Sequence, residues 1–306
     1  MMIVKEIDIM ESSTNISSSF YTAGFKLDSI NILDKYYIEI AIWFPTKKKE
    51  KLYSYLPYIS GFVSHDVHNL LGEFPLIVIS SGYIGTMYDQ SYLAESLARN
   101  GYVVMSVSHN ANDKGVNLGC ARAWYRGYEI KSAINYIYQS KFAKLIANDL
   151  TLIGFSAGGF SSLLLAGAVP DFSLDNSFSP YVKYLKNLDF TDLKDERVDR
   201  LCLFAPALGQ IFSAKSLMQI LHPILLITSE NDEIIYDAPQ YYAKYLPNIK
   251  INKVIRNAGH FVFNSVTSDL MKKLSPRNCI DIGIDREMVH PFVINETLSF
   301  LKSNVN

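Results

Sequence analysis

The stretch Leu150 to Gly159, LTLIGFSAGG, constrains the chain more than any other. It opens as a short continuous apolar run, the pattern of a strand buried on both faces. It then sets one serine between glycines, in Gly154-Phe155-Ser156-Ala157-Gly158, and continues as a helix-like segment from Ser156 to Ala168. A strand that turns directly into a helix forces the residue at the bend to positive φ. Side chains two positions either side of the bend would collide, so Gly154 and Gly158 stand there, and Gly159 relaxes the first helical turn. Such a bend lifts the Ser156 hydroxyl off the sheet. It aims the Ala157 N–H at the same space and adds the partial positive charge of a helix N-terminus. The alternative is a glycine-rich loop with an idle serine. The two readings differ in whether a strand precedes and a helix follows.

The rest of the chain alternates in the same way. Strand-like runs fall at Tyr36 to Phe44, Leu76 to Ser80, Tyr102 to Ser108, Leu201 to Ala205, Ile224 to Thr228 and Lys250 to Ile255. Helix-like segments lie at Tyr88 to Asn100, stopped by Gly101, at Arg122 to Ser140, and at Pro291 to Lys302, with proline in the first turn. Alternating strands and helices imply an α/β fold, a mostly parallel sheet with helices on both faces. We read residues 1–306 as a single domain, with about 1–35 an N-terminal extension or edge strands. Residues 170–200 break the rhythm with a long polar and aromatic connection, read as a cap over a pocket. Aromatic residues from Phe172 to Tyr184 suit its apolar underside.

A serine hydroxyl attacks well only when a base takes its proton and an acid orients that base. Three histidines follow Ser156. His222 and His290 each precede proline, whereas His260 sits in Asn257-Ala258-Gly259-His260-Phe261, on a loop after a strand. Ligands gather at the C-terminal ends of strands in α/β sheets, which selects His260 as the base. The acid should follow the preceding strand, in Ser229-Glu230-Asn231-Asp232-Glu233. Asp232 fits the offset best; Glu230 is the alternative, and Glu233 and Asp237 trail. The loop Ser80-Ser81-Gly82-Tyr83-Ile84-Gly85 would supply a second oxyanion donor, the Tyr83 N–H, beside that of Ala157.

With these residues in place the chain resembles the α/β-hydrolases. More narrowly, it resembles the bacterial dienelactone-hydrolase-like group related to platelet-activating-factor acetylhydrolases. The resemblance spans roughly residues 36 to 302. Its marks are AIWFP at Ala41 to Pro45, PLIVISSGYIG at Pro75 to Gly85, LARNGYVVMSVSHN at Leu97 to Asn110 and GFSAGGF at Gly154 to Phe160. They continue with DERVDRLCLFAP at Asp195 to Pro206, PILLITSENDE at Pro223 to Glu233, NAGHFVF at Asn257 to Phe263 and NCIDIGIDREMVH at Asn278 to His290. The chain departs from the group at Ser81 and Phe155, where histidines are usual. In the mammalian acetylhydrolases the acid follows an earlier strand, at the place of Ala205, which favours Asp232 here. The resemblance implies a serine hydrolase cleaving a carboxylic ester (small ester, lactone or lipid acyl ester) through an acyl-enzyme, with no cofactor. Two alternatives remain: an acyltransferase using the same acyl-enzyme, and a non-catalytic hydrolase-like binding protein.

Bulk properties narrow the classes further. A formal net charge of −1 over 306 residues argues against a nucleic-acid partner. No stretch reaches the length of a membrane span, and the N-terminus MMIVKEIDIMESS lacks the pattern of a secretory signal. Three scattered cysteines, Cys120, Cys202 and Cys279, make no disulfide framework. A cytoplasmic protein is the expectation, with signal-independent export and homo-oligomers both compatible. His65-Asp66-Val67-His68 lacks the further ligands a metal needs, so no metal site is expected. His109 reads as a hydrogen-bonded loop histidine, and Cys279 as structural.

Overall fold

Nine strands pair into one sheet among the residues that the computed structural model describes: 5–9, 20–32, 36–65, 72–109, 122–171, 191–235 and 237–303. They are β1 (Lys5–Ile7), β2 (Thr22–Ile32), β3 (Tyr36–Thr46), β6 (Phe74–Ser80), β7 (Val103–Val107), β8 (Ile146–Phe155), β9 (Val198–Phe204), β10 (Ile224–Ser229) and β11 (Ile249–Ile255). Their order is β1-β11-β10-β9-β8-β6-β7-β3-β2. The pairs from β1 through β7 are parallel, and β3 and β2 close the far edge antiparallel. A separate hairpin, β4 (Lys51–Leu56) with β5 (Ile59–Val63), packs against β2 and the first helix.

The central strands are apolar along their whole length because both faces are covered. Leu76, Ile77 and Ile79 of β6, Val103 to Met105 of β7, and Leu201 to Phe204 of β9 are fully buried. Each such side chain contributes about 1.5–3 kcal/mol of hydrophobic stabilisation. The helices between the strands are α1 (Ser91–Arg99), α2 (Arg122–Gln139), α3 (Ala157–Leu165) and α4 (Ala238–Tyr245), and α5 (Arg286–Lys302) follows β11. Right-handed crossovers fix their sides. The chain moves one way from β6 to β7 and the other way from β7 to β8 and onward. Thus α1 covers one face beside α5, and α2 packs with α3 on the other. Helix α1 stops where the sequence says it should, with Gly101 at φ 91° two residues past Arg99.

One difference from the sequence reading concerns α5. It starts at Arg286, with Pro291 inside it rather than in its first turn. Pro291 is the sixth residue of this helix, past the first turn, so it removes the N–H that would reach the Glu287 carbonyl and crowds that carbonyl with its ring. The segment read as a cap falls mostly within residues 172–190, outside the described residues, so the cap remains a reading of the sequence. No helix among the described residues is long and apolar enough to cross a membrane.

Strand order reverses at β6, with β7 on one side and β8 on the other. The helices leaving β6 and β8 diverge to opposite faces, opening a crevice beyond the strand ends. Among the glycines of the described residues, the closest backbone approach falls at this point. A Cβ built on Gly158 would lie 1.9 Å from the Ser80 carbonyl oxygen, and one on Gly154 would lie 2.4 Å from that of Gly158. Both atoms are backbone and cannot rotate away. Gly158→Ala is therefore expected to cost about 3 kcal/mol and to lower the melting temperature by roughly 5–10 °C, measured by circular dichroism.

Candidate functional site

Ser156 lies where β8 ends and α3 begins, at φ 53° and ψ −118°. Its backbone is fully engaged. The N–H donates to Phe204 O at 3.0 Å, and the carbonyl accepts from Gly159 N at 2.9 Å and Ala207 N at 3.0 Å. These bonds hold the unfavourable φ in place, since a single strained residue costs about 1–3 kcal/mol. Ala157 opens α3, so its N–H is one of those that no helical carbonyl can satisfy.

The loop after β10 carries Asp232. Its Oδ1 accepts from the backbone N–H groups of Ile234 at 3.0 Å and Ile235 at 3.1 Å. Its Oδ2 accepts from the Ser229 hydroxyl at 3.2 Å and lies 2.7 Å from His260 Nδ1. Both side chains are almost wholly buried. Burial alone would raise the Asp232 carboxyl; the hydrogen bond and charge of His260, with the two N–H donors, outweigh it and bring the pKa below the ordinary 3.8. An ionised Asp232 accepts the Nδ1 proton of His260, so Nε2 is the ring nitrogen left outside this pair.

The neighbouring acids act on the backbone. Glu230 Oε2 accepts from Asn257 N at 2.8 Å, and Glu233 Oε2 accepts from His260 N at 3.0 Å. Three carboxylates thus grip the loop after β11, and only that of Asp232 meets the imidazole among the hydrogen bonds of the described residues. Asp237 precedes α4 as a cap residue without a side-chain capping bond. The His260 ring packs on Phe155, with centroids 4.9 Å apart.

The loop after β6 turns tightly beside the serine. Gly85 N donates to Gly82 O at 3.1 Å, and a Cβ on Gly82 would stand 3.4 Å from that of Ser156. Tyr83 follows and is about half exposed. Ser81 is fully buried, and its hydroxyl has no hydrogen-bond partner.

Ser156 and His260 line one cavity of about 540 Å³, together with Gly82 and Tyr83. Tyr58, Ile84, Phe155, Ile234, Phe261 and Met271 form its apolar wall. Asp89, Arg277, Asn278 and Arg286 line it as well. Burial raises the Asp89 carboxyl despite the Thr86 hydroxyl 2.7 Å away and the charges of Arg286 and Arg126. Arg286 grips Asp281 with Nε at 3.0 Å and Nη2 at 2.8 Å, closing the segment that precedes α5. Cys279 is buried in the cavity wall.

The other histidines lie elsewhere. His222 precedes β10, at the opposite end of the strand from Asp232. His109 bridges Ser80 Oγ at 2.9 Å and Glu129 at 2.6 Å, in keeping with a hydrogen-bonded loop histidine. His65 packs against Phe25 and Tyr53, while Asp66 and His68 fall outside the described residues. Among the described residues no three His, Cys, Asp or Glu side chains converge as metal ligands.

No protein-family model and no curated protein sequence matches the chain. Solved structures do. Thermogutta terrifontis esterase 2 phosphorylated by paraoxon aligns over 91% of this chain and 95% of its own, with a TM-score of 0.57 and 14% identity. The same esterase phosphoramylated by tabun aligns with the same coverage and identity and a TM-score of 0.56, and the form phosphonylated by cyclosarin with a TM-score of 0.57. The fold is that of an α/β-hydrolase.

Within this α/β-hydrolase sheet, sequence reading missed the residues that brace the loops. Glu230 and Glu233 looked like rival acids, because their backbone partners lie on another strand's loop. Arg126 gave no local signal. It is buried on α2 and bonds the carbonyls of Ser81 and Gly82, a contact visible only once the crossover places α2 against β6. The polar lining near α5 could be suspected from the sequence only through the Asp-Arg of its tail.

His290 supplies a pH test. It is buried, stacked on Tyr92 at 3.5 Å, and its Nε2 donates to Asn264 O at 2.9 Å. Burial, aided by the Arg286 charge and opposed by the Asn264 bond, pushes its pKa from 6.5 to about 4. The unfolded chain then protonates first as pH falls, so stability drops between about pH 6.5 and pH 4 and is flat above that window. The loss attributable to this side chain is about 3 kcal/mol across the window. His290→Gln, which keeps a donor but cannot titrate, is expected to flatten that part of the curve in urea unfolding at stepped pH.

Proposed function

We propose that the chain is a serine hydrolase that cleaves carboxylic esters through an acyl-enzyme. The observation that carries this reading is the buried 2.7 Å pair of Asp232 and His260, opening on the cavity where Ser156 stands at positive φ. An ordinary loop has no reason to maintain such strain beside an oriented imidazole. The neighbours of the same fold support it in kind, being an esterase carrying organophosphate adducts.

The chemistry runs in two halves. His260 Nε2 takes the proton of Ser156 as its oxygen attacks the ester carbonyl carbon. Asp232 stabilises the imidazolium and holds the ring in the required tautomer. The carbonyl oxygen becomes an oxyanion held by the N–H groups of Ala157 and Tyr83, with the N-terminus of α3 behind them. The imidazolium gives its proton to the departing alcohol oxygen, leaving the acyl group on Ser156. Water, deprotonated by His260, attacks that ester, and the carboxylic acid leaves as Ser156 regains its proton. The apolar wall formed by Phe155, Ile234 and Met271 suits the acyl chain of a small ester, lactone or lipid.

p-Nitrophenyl esters of rising chain length test the reading. Wild-type protein is expected to release p-nitrophenol, and Ser156→Ala to lose roughly 10⁴-fold or more in kcat with the fold intact. Asp232→Asn is expected to lose about 10³- to 10⁴-fold, since it favours the wrong tautomer of His260. A fluorophosphonate that labels wild type but not Ser156→Ala completes the set. Equal turnover by wild type and Ser156→Ala would overturn the proposal. Products formed with and without an added alcohol separate hydrolysis from acyl transfer.

A further inference from the structure

Arg126 is 4% exposed and sits on α2, away from the serine's own strand. Its Nη1 donates to Ser81 O at 2.8 Å and its Nη2 to Gly82 O at 2.7 Å. Three residues on, and so on the same helix face, Glu129 approaches His109 Nδ1 at 2.6 Å. His109 Nε2 in turn meets Ser80 Oγ at 2.9 Å. One face of α2 therefore holds Ser80, Ser81 and Gly82 in succession.

Gly82 O belongs to the same peptide group as the Tyr83 N–H. That group is planar and trans, so its C=O and N–H point in opposite directions. Arg126 and the Gly85 N–H together fix the oxygen. The direction of the Tyr83 N–H follows. A cation bonded to the oxygen also polarises the amide and makes its N–H a stronger donor. A guanidinium holds its donors in a rigid fork, and here two of its nitrogens each meet one of the successive carbonyls, whereas an ammonium is a point charge on a flexible stem.

We infer that Arg126 is a positioning residue of the oxyanion site, acting through the Gly82–Tyr83 peptide to aim and strengthen its N–H. It never touches substrate. The inference rests on the hydrolase reading above and extends it to a residue outside the three reacting side chains.

A matched pair of substrates reads the donor directly: a p-nitrophenyl ester and its thiono analogue, with C=S in place of C=O. Sulfur accepts hydrogen bonds poorly, so an aligned donor speeds the oxo ester far more than the thiono ester. Arg126→Lys and Arg126→Ala are compared with wild type, each first checked by circular dichroism and thermal melting. Both are expected to lose about 30-fold or more in kcat on the oxo ester, with KM changed less than about threefold, since an oxyanion donor acts chiefly in the transition state. The oxo-to-thiono rate ratio is expected to fall about tenfold, because the thiono rate barely used the misaligned donor. Added guanidinium is expected to restore part of the oxo rate to Arg126→Ala. If Arg126→Ala does not fold, Arg126→Lys, which keeps charge and most of the volume, decides. A folded variant with an unchanged ratio overturns the inference while leaving the hydrolase intact. A wild type that turns over neither ester overturns both.

Discussion

Two backbones in near contact set the terms for this molecule. The first turn of α3 lies directly against the end of β6, with Gly158 so near Ser80 O that no side chain fits between them. That approach forces the bend at Ser156. It also brings the loop after β6 alongside the bend, so that Gly82 abuts the serine. Were the helix to pack farther out, Ser156 and Gly82 would no longer stand side by side. The glycines are therefore consequences of how near the two elements must come, and the strain at Ser156 is offset by the hydrogen bonds its backbone makes to Phe204 and Ala207.

A second constraint acts from the other side of the crevice. The loop after β11 is irregular and short of ladder hydrogen bonds, and it carries the His260 imidazole. The chain fixes it with carboxylates from the adjacent loop after β10, through the N–H groups of Asn257 and His260 and the ring of His260. Hydrogen bonds to charged acceptors are worth about 1.5–3 kcal/mol each, more than ordinary backbone pairs. Parallel pairing of β10 with β11 is what sets these two loops side by side.

The parts that were legible in the sequence are those with a short-range cause. Apolar runs such as Leu76 to Ser80 announced buried strands, because covering both faces leaves no alternation to see. The flanking glycines announced the bend, since positive φ and backbone contact act within a few residues. His260 and Asp232 could be placed after successive strands by order alone. The sequence was silent where the cause was tertiary. Arg126 has nothing in its helix to set it apart from a solvated arginine. The start of α5 was read too late because proline marks where a helix can begin without requiring it to begin there. Glu233 and Glu230 look alike on paper and differ only in which N–H each reaches.

Ser156 follows β8, and Asp232 and His260 follow the successive strands β10 and β11, each on a short loop or turn. Those loops are tied by side-chain bonds, whereas the sheet beneath them is tied by ladders and a large apolar interior. Elements held so differently let go at different temperatures. Mild warming should therefore loosen the loops that carry Asp232 and His260 while the ellipticity of the sheet and helices is still native.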